Sequence, residues 1–275
     1  MKTWFVTGAS RGLGAHIIVA ALRVGDRVVA TARNPDDVTV PDDARDRMLV
    51  LPLDVLDQAQ AGAAVQAVTA RFGRIDVLVN NAGRGLLGAV EEATDAAARG
   101  VFDVNVFGTL NVLRAVLPTM RAQRSGHVIN LSSVGGFVGS PGWGVYNATK
   151  FAVEGLSEAL AAEVGPLGVD VTVVEPGYFR TDFLDDSSLQ AEATVIDDYT
   201  ATAGATRHRV GTVNHLQPGD PAKAAAALVA LTRIEQPPLR IQLGGDSYAR
   251  VSEKLGHVAA EQAAWRAMAL STDHD

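Results

Sequence analysis

Tyr146 and Lys150 stand four residues apart in Tyr146-Asn147-Ala148-Thr149-Lys150, a spacing that puts a phenol and an ammonium on one helical face. A phenol at its ordinary pKa of about 10 exchanges protons poorly near neutrality. A neighbouring ammonium favours the phenolate and should lower that value, so the pair suits general acid–base chemistry. Alone, such a pair usually only packs a helix. Its position makes it specific, because it follows an expected buried strand at residues 127–131 and the segment Ser132-Ser133-Val134-Gly135-Gly136. Two amide-bearing sites precede it: Asn80-Asn81-Ala82-Gly83, whose plain interpretation is a turn, and Asn105, whose plain interpretation is helix packing.

A second chemical feature lies near the start. Thr7-Gly8-Ala9-Ser10-Arg11-Gly12-Leu13-Gly14 joins an apolar strand, residues 3–6, to a helix with apolar residues at Leu13, Ile17, Ala20, Ala21 and Val24. Glycines there allow a tight turn and close helix–strand packing, and the helix start offers free N–H groups and a positive dipole end to a pyrophosphate. The spacing is G-x-x-x-G-x-G rather than the common G-x-G-x-x-G. Gly8 to Gly12 also spell G-x-S-x-G, the nucleophile elbow of serine hydrolases, with His208, His215 and His257 as partners on paper. An elbow follows an internal strand, however, and only seven residues precede Gly8, too few for an oxyanion element. The hydrolase is the disfavoured alternative.

The elements that must position these groups alternate along the chain. Strands are expected at residues 3–6, 27–32, 48–53, 75–79, 127–131, 170–174 and 239–243. Helices are expected between them, including one long helix at 95–120 and another at 146–163. Pro52 cannot donate a ladder hydrogen bond, so the third strand lies at a sheet edge or ends there. Near-continuous apolar strands of this kind are buried on both faces. The pattern predicts an α/β fold: a doubly wound, seven-stranded, mostly parallel sheet with helices on both faces, and ligands beyond the carboxyl ends of the strands. Residues 177–218 show poor periodicity and read as a substrate lid. A last helix is expected at 247–270.

Composition narrows the function classes. With 275 residues, 47% hydrophobic and 20% charged, the chain suits one large domain over residues 1–275 with a substantial core. A net charge of −7 argues against nucleic acid and acidic membranes as partners. Cysteine is absent, which removes disulfides and thiolate chemistry. The six histidines are scattered without metal-ligand spacing, so no metal is expected. No signal peptide fits before the glycine turn, and the longest uniformly apolar run, residues 224–231, falls far short of the ~20 that span a bilayer. A soluble, cytoplasmic protein is expected.

The glycine turn, Asn105, Ser133 and the Tyr146/Lys150 pair, in that order, resemble the short-chain dehydrogenase/reductase family over residues 3–181 and the final strand. The resemblance implies an oxidoreductase that interconverts a ketone or aldehyde with an alcohol on a small molecule. It implies Tyr146 as acid/base, Lys150 as its tuner and ribose ligand, and Ser133, thirteen residues before the tyrosine, as the donor to the substrate oxygen. Asn105 would hold a water linking Lys150 to solvent. Gly8, Ser10, Arg11, Gly12, Leu13 and Gly14 would cradle the cofactor, with Asp54 and Val55 at the adenine and Asn81, Ala82 and Gly83 on the adenosine side. Pro176 and Gly177, at the end of the sixth strand, would also bind the cofactor, and Thr181 would grip the nicotinamide carboxamide. A homodimer or homotetramer is implied as well.

Cofactor choice is read at the end of the second strand. NAD(H) binding calls for an acidic residue there, about 20 positions after the glycine turn. Here Ala32 is followed by Arg33, and Arg11 sits in the turn. Two guanidiniums suit a ribose 2′-phosphate, so NADP(H) is expected over NAD(H). Trp143, Tyr178, Phe179, Phe183 and Leu184 suggest an apolar substrate pocket or, equally, lid packing. A cofactor-binding sensor without catalysis remains the second alternative.

Overall fold

Trp4 and Val6 point into one half of the core and Phe5 into the other, and all three are fully buried. A strand apolar on both faces must lie inside a sheet covered on both sides. A computed structural model, which describes residues 1–274, shows that arrangement. The strands are β1 (Thr3–Thr7), β2 (Arg27–Ala32), β3 (Met48–Pro52), β4 (Val77–Asn80), β5 (Gly85–Leu87), β6 (Gly126–Leu131), β7 (Val169–Pro176), β8 (Leu189–Ala191) and β9 (Arg240–Leu243). Seven of them form one sheet in the order β3-β2-β1-β4-β6-β7-β9, with every pairing parallel. Pro52 is the last residue of the edge strand β3, where its missing N–H costs no ladder bond.

Helices α1 (Gly12–Arg23) and α7 (Pro221–Leu231) cover one face, packing Ile17, Ala21, Ala225 and Leu228 against Val6, Val28 and Val79. Helices α2 (Gln58–Phe72), α4 (Thr109–Gln123) and α5 (Gly144–Val164) cover the other, where Val68, Val116 and Leu160 meet Phe5 and Leu78. The remaining helices are α3 (Asp95–Phe102), α6 (Ala205–Val213), α8 (Gly245–Ala264) and α9 (Arg266–Leu270).

Three expectations need correction. The long helix predicted at 95–120 is a helical rod from Asp95 to Gln123 interrupted by a π-helical turn, Asp103–Gly108, which contains Asn105. By length and composition this rod could cross a membrane, although Val101, Val112, Val116 and Met120 are buried in the core. The segment 177–218 is not structureless. It holds β8, which pairs with β5 in a separate parallel ribbon, and α6, whose single buried residue, Val210, leaves no periodicity to read. The final helix begins at Gly245 and breaks at Trp265.

Candidate active site

The chain leaves β1 toward β2 and β3, then returns to β4 and continues toward β9, so the carboxyl ends of β1 and β4 border a crevice. The glycine turn occupies it. Gly8 and Gly12 have φ of +63° and +55°, in the left-handed region. A methyl on Gly8 would lie 2.9 Å from Ala82 Cα, and one on Gly14 2.3 Å from Gly8 O. Thr7 Oγ1 accepts from the N–H groups of Asn81 (3.0 Å) and Ala82 (3.1 Å). The Asn81 side-chain amide donates to Thr7 O and Gly8 O, both at 2.9 Å. Asn81 thus locks the turn to the end of β4.

Arg11 caps α1 with extended backbone and no side-chain capping bond, leaving the first N–H groups of the helix to an anion. This cradle fits a pyrophosphate. It opens into a cleft of about 970 Å³. Gly8, Ser10, Arg11, Gly12, Leu13, Arg33, Asp54, Val55, Asn81, Ala82, Gly83, Pro176, Gly177 and Thr181 all line that cleft, as do Ser133, Tyr146 and Lys150. Gly14 lies beneath the turn and Asn105 behind the wall. Arg33 is exposed at the mouth, but Arg11 does not converge on it. Its Nη2 donates instead to Ser187 O (2.8 Å) and Ser188 Oγ (2.9 Å).

Tyr146 sits in the first turn of α5, its ring edge-on to Trp143 (centroids 5.5 Å apart) and tilted against Phe183 (5.7 Å). The ring is 7% exposed. Burial pushes the Tyr146 phenol well above its ordinary range, against a favourable hydrogen bond from Ser133. The expected lowering by Lys150 is therefore reversed: desolvation outweighs an ammonium whose Nζ stands 5.8 Å from the ring centroid. Lys150 Nζ donates to Leu131 O at 2.8 Å, and burial lowers its pKa to about 8. Ser133 Oγ caps the following turn by accepting from Gly135 N–H at 3.0 Å.

Asn105 is 1% exposed. Its Oδ1 accepts from Arg84 N–H (2.9 Å), while Nδ2 donates to Arg84 O (3.0 Å) and Thr149 Oγ1 (2.9 Å). Both amide protons are used, so the side chain clamps the loop after β4 onto α5 and retains only an Oδ1 lone pair for any water. Val55 O accepts from Asn111 Nδ2 at 3.0 Å, and Asp54 Oδ1 caps the backbone at Leu56.

Sequence reasoning missed Thr7, Arg84, Thr149 and Asp246. Asp246 Oδ2 accepts from Tyr178 N–H at 2.8 Å and presses on Gly177, fixing the exit from β7. Its only local signal is a place in the first turn of a helix. Trp143, Tyr178, Phe179, Phe183 and Leu184 line the end of the cleft nearest Tyr146. Among the described residues, no group of three or more histidine, aspartate or glutamate side chains could hold a metal ion.

Residues 2–192 match the family model described as short chain dehydrogenase. The chain is 39% identical over 273 residues to "Oxidoreductase BOA17" of Botryotinia fuckeliana, covering 98% of this chain and 99% of that protein. It is 38% identical over 239 residues to a 3-ketodihydrosphingosine reductase of Bacteroides thetaiotaomicron, covering 87% and 86%. A short-chain dehydrogenase structure from Streptomyces avermitilis superposes with a TM-score of 0.90 at 42% identity, covering 99% of this chain and 100% of that one. A Burkholderia cenocepacia short chain dehydrogenase in complex with NADP follows at 0.74 and 26% identity, covering 96% and 98%. The cradle at the switch point and this likeness along nearly the whole length lead to one conclusion: the chain belongs to the short-chain dehydrogenase/reductase family of nicotinamide-dependent oxidoreductases.

Proposed function

We propose that the protein interconverts a ketone or aldehyde and the corresponding alcohol on a largely apolar small molecule, with NADP(H) as cofactor. The observation that carries this reading is the placement of Ser133, Tyr146 and Lys150 in the same cleft as the pyrophosphate cradle. When bound, the nicotinamide supplies or accepts the hydride. The chain's own residues supply everything else. Ser133 donates to the carbonyl oxygen, and Tyr146 gives the proton that the developing alkoxide takes. Its raised pKa keeps the phenol protonated in the free protein, the form that can donate. Lys150 would hold the nicotinamide ribose, and Asn105 keeps the surrounding loop in place. Thr181 would grip the carboxamide, while Arg11 and Arg33 would serve the 2′-phosphate.

The aromatic end of the cleft supports an apolar substrate, as does a relative named for reducing 3-ketodihydrosphingosine. Residues 177–218 act as the lid over it. Incubation with NADPH or NADH and a panel of ketones, followed by nicotinamide absorbance, tests the reading. NADPH binding without turnover of any ketone would favour a cofactor-binding sensor instead.

A further inference from the structure

Of the four arginines that line the cleft, Arg11 and Arg33 belong to the proposed cofactor site, and Arg84 Nη2 donates to Gln190 Oε1 at 2.6 Å. The fourth, Arg250, stands in the second turn of α8 and is partly buried. Its Nη2 donates to Oγ of Ser140, another cleft residue, at 2.6 Å. Both partners belong to the aromatic end of the cleft. The Ser140 carbonyl accepts from Trp143 N–H at 3.1 Å, and Asp246, one turn before Arg250, accepts from Tyr178 N–H at 2.8 Å.

The contact holds donors without an acceptor. A guanidinium has five N–H bonds, and among the described residues one nitrogen of Arg250 is engaged, by Ser140. Ser140 Oγ accepts that bond, and no described residue accepts its own proton. Elsewhere the partly buried arginines are satisfied: Arg207 and Arg240 hold carboxylates, and Arg47 holds two backbone carbonyls. Arg250 forms no ion pair with any described carboxylate. Asp246 shares its helical face, but that carboxylate is engaged by Tyr178 N–H and packs on Gly177. Nor does Arg250 fasten the helix. Ser247 and Val251, both buried, do so, and Ser247 Oγ donates to Glu175 O at 2.7 Å. A partly buried cation of this kind is stabilised when an anion reaches it.

We propose that Arg250 and Ser140 determine substrate specificity, an inference that rests on the function proposed above. The substrate is an amphiphilic ketone: its apolar body lies along Trp143 and Tyr178, and its far end is a carboxylate bound by the Arg250 guanidinium and the Ser140 hydroxyl. The planar guanidinium fork matches a carboxylate with two parallel bonds, and the serine proton supplies a further donor. An ammonium at the same place would meet like charge and find no acceptor.

A series of methyl ketones of increasing chain length, each offered as the ω-carboxylate, its methyl ester and the matching ω-ammonium, tests the proposal on the native protein with NADPH. At the best chain length the carboxylate should exceed the ester in kcat/KM by about tenfold or more, the effect of one charge-assisted bond. The difference should lie mainly in KM, because Arg250 meets the end remote from the reacting carbonyl. The ammonium should be the poorest. Arg250→Met should abolish the advantage of carboxylate over ester, Arg250→Lys should keep part of it, and Ser140→Ala should lose part of it. Arg266→Met, at an exposed arginine of α9, should leave the advantage where it was. Equal kcat/KM for acid and ester in the native protein overturns the proposal and requires no variant to fold. A preference for the ammonium, or a carboxylate advantage that survives Arg250→Met, overturns it too. Calorimetric titration with octanoate and with octanol, NADPH present, addresses the same contact without turnover. Octanoate should bind about tenfold tighter or more, and equal affinity or no octanoate binding overturns the proposal. Failure to reduce any ketone would defeat the proposed function while the octanoate titration still decides this inference. Ketones reduced without regard to the carboxylate would defeat this inference alone.

Discussion

Arg11 and Ser188 are bound to each other across the mouth of the cleft, Nη2 to Oγ at 2.9 Å, and the same nitrogen reaches the carbonyl of Ser187. The glycine turn thus holds a segment, Ser187-Ser188, that lines the cleft. The contact is exposed, and exposed polar pairs contribute at most about 1 kcal/mol. A 2′-phosphate is the stronger partner for a guanidinium, because it can accept two parallel charge-assisted bonds. On the proposed reading, Arg11 would exchange Ser188 for the 2′-phosphate at small cost.

Cofactor preference follows from this exchange. Arg11→Ala and Arg33→Ala should each reduce the preference for NADPH over NADH tenfold or more, since a charge-assisted hydrogen bond contributes roughly 1.5–3 kcal/mol. The double variant should lose most of the difference. Fluorescence titration with both cofactors measures it, and equal affinity of the native protein for the two removes the basis of the NADP(H) assignment.

The proposed lid has a fixed part and a free part. Buried Glu92 accepts from Ala89 N–H and from Ile196 N–H (2.6 and 2.9 Å) and pairs with Arg207, while Tyr199 OH donates to Glu91 at 2.6 Å. Residues 196–207 are thereby fastened to the turn before α3. Among the described residues, nothing comparable fastens Asp186 and Ser187 apart from the bond of Arg11 to Ser187 O. Hydrogen exchange should find the Ile196 amide slow and those of Asp186 and Ser187 fast in the free protein. The latter should slow on addition of NADPH and substrate, as a closing lid requires. Asp186 and Ser187 amides as protected in the free protein as those of α5 would sink the lid.

What the sequence made legible was the local part of the site. Trp4-Phe5-Val6 and Val77-Leu78-Val79 read as strands because each residue is apolar, and the turn between β1 and α1 reads from its glycines. Three-residue strands such as β5 and β8 carry too little pattern to read, and α6 has too few buried residues. The sign of the Tyr146 shift was not legible for a different reason. The ammonium that favours ionisation lies four residues away, but the ring of Phe183 that helps desolvate the phenol lies 37 positions downstream. Arg11 illustrates the same limit, since its partners Ser187 and Ser188 are equally remote in sequence.

A pH dependence of stability follows from His127. Thr172 Oγ1 donates to Pro238 O at 2.7 Å, so it must accept from His127 Nε2–H at 2.9 Å. Burial, with Lys2 nearby, lowers the pKa of this imidazole from 6.5 to about 4. Between those values the unfolded chain takes up a proton that the native state refuses. The contribution is present above pH 6.5 and is lost as pH falls toward 4, on the order of 3 kcal/mol in all. Urea unfolding of the native protein and of His127→Gln should show their stability difference shrinking across that window. A difference that stays flat with pH means that His127 is not the group responsible.

Tyr146→Phe separates catalysis from cofactor binding. The change removes one oxygen and its transferable proton and keeps the ring, with its contacts to Trp143 and Phe183. The pyrophosphate cradle, Arg11, Arg33 and Lys150 are untouched, so NADPH should bind within a few-fold of its native affinity. Reduction should fall by about 10²–10⁴, because the alkoxide would form without its acid. Ser133 is left to donate to the carbonyl oxygen alone, which polarises it but supplies no proton of suitable acidity. Lys150→Met should instead weaken both cofactor binding and turnover, since that ammonium serves the ribose as well as the phenol. Titration of NADPH binding beside steady-state rates on one identified ketone distinguishes the two variants. A Tyr146→Phe protein that binds NADPH normally and reduces that ketone at the native rate would show that the proton comes from elsewhere.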